Sequence, residues 1–156
     1  MSEQRLIRVE LPEEPPAPSA FAEADRRQAI ADLLASNRFD PPNLPPGPYA
    51  LAVMIREGRL VLDIRDVDNR PLHVLALALG PFRRLIKDYH LVVEAHERAV
   101  AESGPESRVQ AIDMGRRGLH NEGAELLLQR LKGRIDVDFE TARRLFTLVC
   151  ALHQRI

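Results

Sequence analysis

The sequence predicts an α+β fold in which an antiparallel sheet of three to four strands is covered by four helices. Two observations predict it: three strand patterns follow one another with short turns between them, and three helical patterns come after those strands. Strands and helices that are segregated along a chain are typical of α+β folds. We therefore expect the three C-terminal helices to pack on one face of the sheet.

The length of the chain, 156 residues, predicts one domain over residues 1–156. Residues 1–19 combine a short strand at Leu6–Leu11 with a proline-rich loop, and we expect them to be partly flexible. Residues 37–48 contain five prolines and a glycine. Proline fixes φ and removes a backbone donor, so this second segment should be an extended connector.

The predicted sheet is centred on three consecutive strands, Tyr49–Arg56, Arg59–Arg65 and Leu72–Leu79. Glu57-Gly58 separates the first two, and a glycine-containing turn between alternating patterns indicates a hairpin. Short turns join all three strands, so they should form an antiparallel meander.

Four segments have the apolar spacing of amphipathic helices. They are Phe21–Ser36, Pro81 to about Ser103, about Pro105 to Leu131, and Phe139–His153. Gly133 is a plausible stop for the third helix and Asp138 a plausible N-cap for the fourth. The fourth helix is apolar nearly all round, which predicts that it lies at the centre of the fold.

Composition limits the classes of function. The net charge is −1, so any attraction to nucleic acid must come from a local basic surface. One cysteine, Cys150, excludes an internal disulfide and fits a reducing compartment. The sequence shows no membrane span and no signal peptide, so we expect a cytoplasmic protein. The five histidines have no metal-ligand spacing, and we expect no metal and no cofactor.

The segment Asp113–Gly123 is unusual because three glycines interrupt a helical pattern. Each glycine costs about 1 kcal/mol relative to alanine inside a helix. Gly115 and Gly123 could let a second helix approach closely, or the backbone could open here toward a ligand. We favour close packing.

One face of this predicted helix carries an acid, two guanidiniums and an imidazole at positions i, i+3, i+4 and i+7: Asp113, Arg116, Arg117 and His120. Two interpretations stay open. The acid pairs internally with the arginines, or the arginines hold a phosphate or carboxylate while the imidazole transfers a proton. Glu122 could act as a second carboxylate, although it points to the opposite side of an ideal helix from Asp113.

Two further arginine pairs begin predicted helices. Arg83-Arg84, with Lys87, begins the second helix, and Arg143-Arg144 lies in the first turns of the fourth. Cations near a helix N-terminus oppose the helix dipole, so a bound anion or a nearby carboxylate should relieve them.

Four stretches carry a resemblance to a known family: residues 57–64, 81–89, 111–123 and 138–148, of which Ile112–Gly123 is the most specific. Together they resemble the uncharacterised protein family 0262 of the UPF series. The resemblance covers about Ala20 to the C-terminus. It implies a bacterial, chiefly alphaproteobacterial, cytoplasmic protein. It implies no activity, cofactor or catalytic residue.

Three functions from different classes follow from these patterns. The first is a binding or regulatory module that holds a nucleotide, an RNA phosphate or an acidic protein, through Arg83, Arg84, Lys87, Arg116, Arg117, His120 and the adjacent Asn121. The second is a small enzyme for a phosphorylated or carboxylated metabolite, with His120 as acid or base and Asp113 or Glu122 as the orienting carboxylate. The third is a structural homodimer or protein-interaction module that makes its contact through the glycines of the third helix.

Overall fold

A computed structural model describes residues 3–153, so residues 1–2 and 154–156 of the predicted domain lie outside it. The strands are β1 Leu6–Glu10, β2 Phe39–Asp40, β3 Tyr49–Arg56, β4 Arg59–Arg65, β5 Pro71–Ala78 and β6 Asp136–Val137. The helices are α1 Ala20–Ala35, α2 Arg83–Ala101, α3 Glu106–Leu131 and α4 Phe139–Leu152, and a 3₁₀ turn at Gly80–Phe82 precedes α2. The α+β class is confirmed.

The main sheet has the order β1-β3-β4-β5 and is mixed. The meander of β3, β4 and β5 is antiparallel as expected, but β1 runs parallel to β3. The expectation of a purely antiparallel sheet is therefore wrong. Parallel neighbours need a crossover connection, and here α1 and the proline-rich connector return the chain to the end of the sheet where β1 began.

The hairpin between β3 and β4 forms at the predicted turn. Glu57 and Gly58 both have a positive φ, 51° and 72°. Two left-handed residues in a two-residue loop give the backbone twist that suits a hairpin. Arg56 consequently pairs with Arg59, and the register puts Leu60, Leu62 and Ile64 on the buried face.

Helix α4 is the central element, as its sequence predicts. The Asp138 side chain accepts a hydrogen bond from the Thr141 amide at 3.0 Å and caps the helix. Nine of its fourteen residues are buried. It packs on β3, on α1 and on α3, while α2 and α3 also pack on each other. Of the three C-terminal helices, α4 makes the main contact with the sheet.

The glycines of α3 have different surroundings, and the helix is unbroken. A Cβ on Gly123 would lie 2.2 Å from the ring of Phe146, so close packing of α3 on α4 requires glycine there. At Gly115 and Gly118 a Cβ would meet nothing within 4 Å. The packing interpretation therefore holds for Gly123 and not for Gly115.

A small second sheet pairs β2 with β6, and the sequence did not predict it. Phe39 lies opposite Val137, and both are buried. Just before β2, the Asn37 amide accepts a hydrogen bond from the Leu6 N–H at 2.7 Å and donates one to the Leu6 carbonyl at 2.9 Å. Asn37 thereby covers the outer edge of β1.

Candidate functional site

The charged side chains on the polar face of α3 form ion pairs with one another. Asp113 accepts a hydrogen bond from Nη2 of Arg116 at 2.7 Å, and its second oxygen lies 3.2 Å from Nε of Arg117. Burial acts to raise the pKa of Asp113, but the hydrogen bond and charge of Arg116 outweigh it, so the pKa lies below its usual value. The structure thus matches the interpretation in which the acid and the arginines pair with one another.

A carboxylate that the sequence did not indicate completes this group. Asp25, on α1, accepts a hydrogen bond from the Tyr89 hydroxyl at 2.5 Å and one from Nη1 of Arg116 at 2.9 Å. Nε2 of His120 lies 3.6 Å from the same carboxylate. Asp25, Tyr89, Asp113, Arg116 and His120 form one polar cluster between α1, α2 and α3, which we call the Asp25 cluster.

His120 is sealed inside this cluster, with 3% of its surface exposed. Its ring stacks on that of Tyr89 with centroids 5.6 Å apart. Nε2 is buried and has no hydrogen-bond partner among the described residues. Burial lowers the pKa of His120 to about 4; Asp25 opposes that shift and Arg116 adds to it. The imidazole is therefore neutral at pH 7.

An aromatic pair lies against the Asp25 cluster. The rings of Phe21 and His96 stack with centroids 3.9 Å apart, and the guanidinium carbon of Arg116 lies 5.7 Å from the centre of the Phe21 ring. A general acid or base must reach its substrate directly or through one water. Because His120 is buried and a substrate could not reach it in this conformation, its position favours a structural role. The catalytic role of His120 stays a prediction.

Glu122 and Asn121 are not brought to the Asp25 cluster. Glu122 is exposed and accepts a hydrogen bond from Nη2 of Arg84 at 3.0 Å, while Nη1 of Arg84 donates to Asp88 at 3.1 Å. Asn121 is exposed on α3. The candidate catalytic carboxylate Glu122 therefore neutralises a candidate ligand-binding arginine instead of orienting His120.

The arginine pair at the start of α4 is also neutralised internally. Glu140 lies 3.5 Å from Nη1 of Arg143 and 3.6 Å from Nη2 of Arg144. This carboxylate, in the first turn of the helix, offsets the unfavourable interaction of both cations with the helix dipole.

Arg83 and Lys87 are the predicted ligand-binding cations that keep their charge unpaired. Neither side chain has a hydrogen bond or ion pair with any residue between 3 and 153. Both line a groove of about 440 Å³ between α2 and the end of α4, which we call the α2–α4 groove. Its lining residues are Arg83, Arg84, Ile86, Lys87, His90, Leu91 and His153.

The described part of the chain contains neither a metal-binding cluster nor a membrane-spanning helix. Over residues 3–153, no three His, Cys, Asp or Glu side chains converge in an arrangement that could hold a metal ion. None of the helices in that part of the chain is both long and apolar enough to cross a bilayer.

The family relationship follows from comparison with known proteins. The model of the uncharacterised protein family UPF0262 matches residues 3–155. The chain belongs to UPF0262. The family model reaches further toward the N-terminus than the resemblance from about Ala20, because it includes β1 and the first proline-rich loop.

Several UPF0262 proteins of alphaproteobacteria are similar over more than four fifths of their length. One from Granulibacter bethesdensis is 62% identical over 146 residues, which cover 88% of this chain and 82% of that protein. One from Maricaulis maris is 52% identical over 155 residues, covering 99% and 96%. One from Acidiphilium cryptum is 55% identical over 152 residues, covering 97% and 93%. No solved structure gives a significant match. The UPF0262 names specify no activity, so a function must be argued from geometry.

Proposed function

We propose that this UPF0262 protein is a binding module that takes up a small anion in the α2–α4 groove. The observation that supports it is the pair of cations, Arg83 and Lys87, that line one groove without an acidic partner among residues 3–153. The other arginines considered from the sequence are all paired with carboxylates, and these are Arg84, Arg116, Arg117, Arg143 and Arg144.

The two cations are placed to act together. Arg83 and Lys87 are four residues apart on α2, so they lie on the same face of the helix one turn apart. A cavity of about 440 Å³ is within the range of small-molecule sites. Ile86 and Leu91 add apolar lining, and 47% of Leu91 is exposed. The ligand is therefore an anion that also carries an apolar portion.

Helix electrostatics give a reason for an anion at this end of α2. Arg83 is the first residue of α2, where a cation opposes the positive end of the helix dipole. Arg84 is compensated by Asp88, but Arg83 has no such carboxylate among residues 3–153. A bound phosphate or carboxylate would remove this unfavourable interaction, and arginine can hold either through two parallel hydrogen bonds.

The test is a thermal-shift screen of the full chain against adenosine 5′-monophosphate, glucose 6-phosphate, citrate, pyrophosphate and a short single-stranded RNA. A ligand at about 100 times its dissociation constant adds roughly 2.7 kcal/mol, which raises Tm by about 5–10 °C for a chain of this length. We expect a phosphorylated or carboxylated small molecule to give this shift.

Paired variants then locate the site. The double variant Arg83→Gln/Lys87→Gln should weaken binding of the selected ligand at least tenfold. Arg98→Gln is the matched control, because Arg98 is an exposed cation on the same helix outside the groove. Equal affinity in the double variant would exclude the α2–α4 groove. If the RNA alone stabilised the protein, the ligand would be a nucleic-acid backbone and the proposal of a small anion would be wrong.

A further inference from the structure

The two edge strands of the main sheet, β1 and β5, differ in how their outward backbone groups are covered. At β1, the Asn37 side chain satisfies the outward N–H and C=O of Leu6, and Arg8 and Glu10 add charge to the strand. Coverage by another group and charged residues are two ways in which proteins prevent a sheet edge from pairing with another chain. The β1 edge is therefore protected.

In the part of the chain that the structure describes, the β5 edge carries no such protection beyond Pro71 at its first residue. Leu72–Ala78 contains no charged side chain, and Val74 is 56% exposed. Apart from its ladder with β4, the backbone of this stretch makes no hydrogen bond within the described part of the chain. A neutral edge with unpaired N–H and C=O groups is a template for an added strand.

A groove of about 490 Å³ lies at the same edge, which we call the β5 groove. One wall is the buried face of the sheet, with Ile64, His73 and Leu75. The opposite wall is formed by Pro41–Leu44 from the connector and by Gly133–Ile135 after α3. In a strand laid beside β5, alternate side chains would point toward this face and enter the groove.

The residues that line the β5 groove indicate the chemistry of the side chains that could bind there. Ile64, Leu75 and Ile135 are buried apolar residues at the groove, which favours an apolar side chain. Arg134 is exposed and has no ion pair within residues 3–153, and no aspartate or glutamate lines the groove. His73 adds an imidazole on the sheet side. The charge of the groove therefore favours an acidic group beside the apolar one.

We propose that an extended peptide segment of a partner protein pairs with the open edge of β5, inserts an apolar side chain into the β5 groove and binds Arg134 through a carboxylate. Main-chain hydrogen bonds would supply affinity and the groove would supply specificity. This site is separate from the α2–α4 groove and shares none of its lining residues.

Charge favours a foreign peptide over a second copy of this chain. Two copies that paired through β5 would bring together strands without any acidic residue, because Pro71–Ala78 contains neither aspartate nor glutamate. The β5 strand of the second copy would then offer no carboxylate to Arg134. A partner with an acidic residue close to an apolar one satisfies both parts of the groove.

The experiment is a selection of random octapeptides displayed on phage against the full chain, followed by synthesis of the enriched peptides. We expect enrichment of peptides that combine an aliphatic residue with an acidic residue or a free C-terminal carboxylate. Arg134→Glu should weaken their binding at least tenfold by fluorescence anisotropy. Arg130 is an exposed arginine in the last turn of α3, and the control variant Arg130→Glu should change peptide binding less than twofold.

Backbone pairing has its own readout. On saturation with the selected peptide, hydrogen exchange at amides within Leu72–Ala78 should slow at least tenfold, and N-methylation at alternate peptide positions should abolish binding. No enrichment, equal binding to Arg134→Glu, or protection confined to other elements would overturn the proposal. The proposal would also be overturned if the peptide-free protein sedimented as a dimer and its β5 amides were already protected from hydrogen exchange.

Discussion

The hydroxyl of Tyr89 donates a hydrogen bond of 2.5 Å to Oδ2 of Asp25 and ties α2 to α1. The other oxygen of Asp25 accepts from Arg116 of α3, so one carboxylate joins three helices. Buried polar groups that are bonded in this way specify how helices pack, because an unpaired partner would be costly.

Asp25→Asn should lower the free energy of unfolding by about 2–4 kcal/mol, because removal of one member of a buried ion pair leaves the other uncompensated. Arg116 would still be paired with Asp113, so we expect a cost in the lower part of this range of about 2–4 kcal/mol. Urea denaturation measures the change. Asp32 is on the same helix, and among residues 3–153 its carboxylate accepts a hydrogen bond from Gln28 alone, so Asp32→Asn should cost less than about 1 kcal/mol. Equal costs in both variants would contradict the role of Asp25.

Stability should fall as the medium becomes acidic, because His120 is held neutral in the fold. Burial lowers its pKa from the ordinary 6.5 to about 4. Between those values the unfolded chain binds a proton that the folded chain does not, so stability is full above about pH 6.5 and is lost as the pH falls toward 4. From pH 7 to pH 5 this residue should remove about 2 kcal/mol.

The measurement for His120 is the free energy of unfolding at pH 7 and pH 5 for the natural chain and for His120→Asn. The asparagine variant should be less stable at pH 7 but should lose about 2 kcal/mol less on acidification, because it lacks the titrating group. Parallel losses in the two proteins would show that other groups govern the acid response.

Two glycines of α3 should respond to alanine in opposite directions. Gly118→Ala should stabilise the protein by about 0.5–1 kcal/mol, because a Cβ there meets open space and alanine is the better helix former. Gly123→Ala should destabilise it by about 1–3 kcal/mol, because its Cβ would overlap the Phe146 ring. Thermal unfolding of both variants provides the comparison, and a stable Gly123→Ala protein would refute the close contact of α3 with α4.

Cys150 should not react with thiol reagents while the chain is folded. Its side chain is fully buried in α4, and burial raises the pKa of the thiol, so little thiolate forms. The colour reaction with Ellman's reagent should be absent in native protein and should reach one equivalent in 6 M guanidinium. Rapid labelling of native protein would show that α4 leaves its place readily.

The sequence predicted the parts of the fold that depend on local patterns. The turn at Glu57-Gly58, the cap at Asp138 and the central position of α4 follow from residue preferences and apolar periodicity, and the structure contains all three. The parallel pairing of β1 with β3 does not follow from either strand's pattern, because alternation fixes the buried face but not the direction of a distant neighbour.

The candidate site was predictable only within single helices. Asp113 and Arg116 meet because they are three residues apart on α3, which helical spacing alone determines. Asp25 and Tyr89 were missed because their meeting depends on how α1 and α2 rotate against each other. The one signal available was that Tyr89 is the hydroxyl-bearing residue in an apolar stripe, and a buried hydroxyl usually finds a partner.

The position of α4 in the chain also bears on how the protein reaches its fold. The ribosome makes α4 after the sheet and after α1–α3, so these elements emerge before the helix against which they pack. Arg26 of α1, for example, donates to the carbonyl of Ala151, which lies 125 residues later. Contacts this distant in sequence slow folding. Until α4 arrives, the apolar part of the sheet on which it packs stays uncovered, and this interval is when the nascent chain would most need a chaperone.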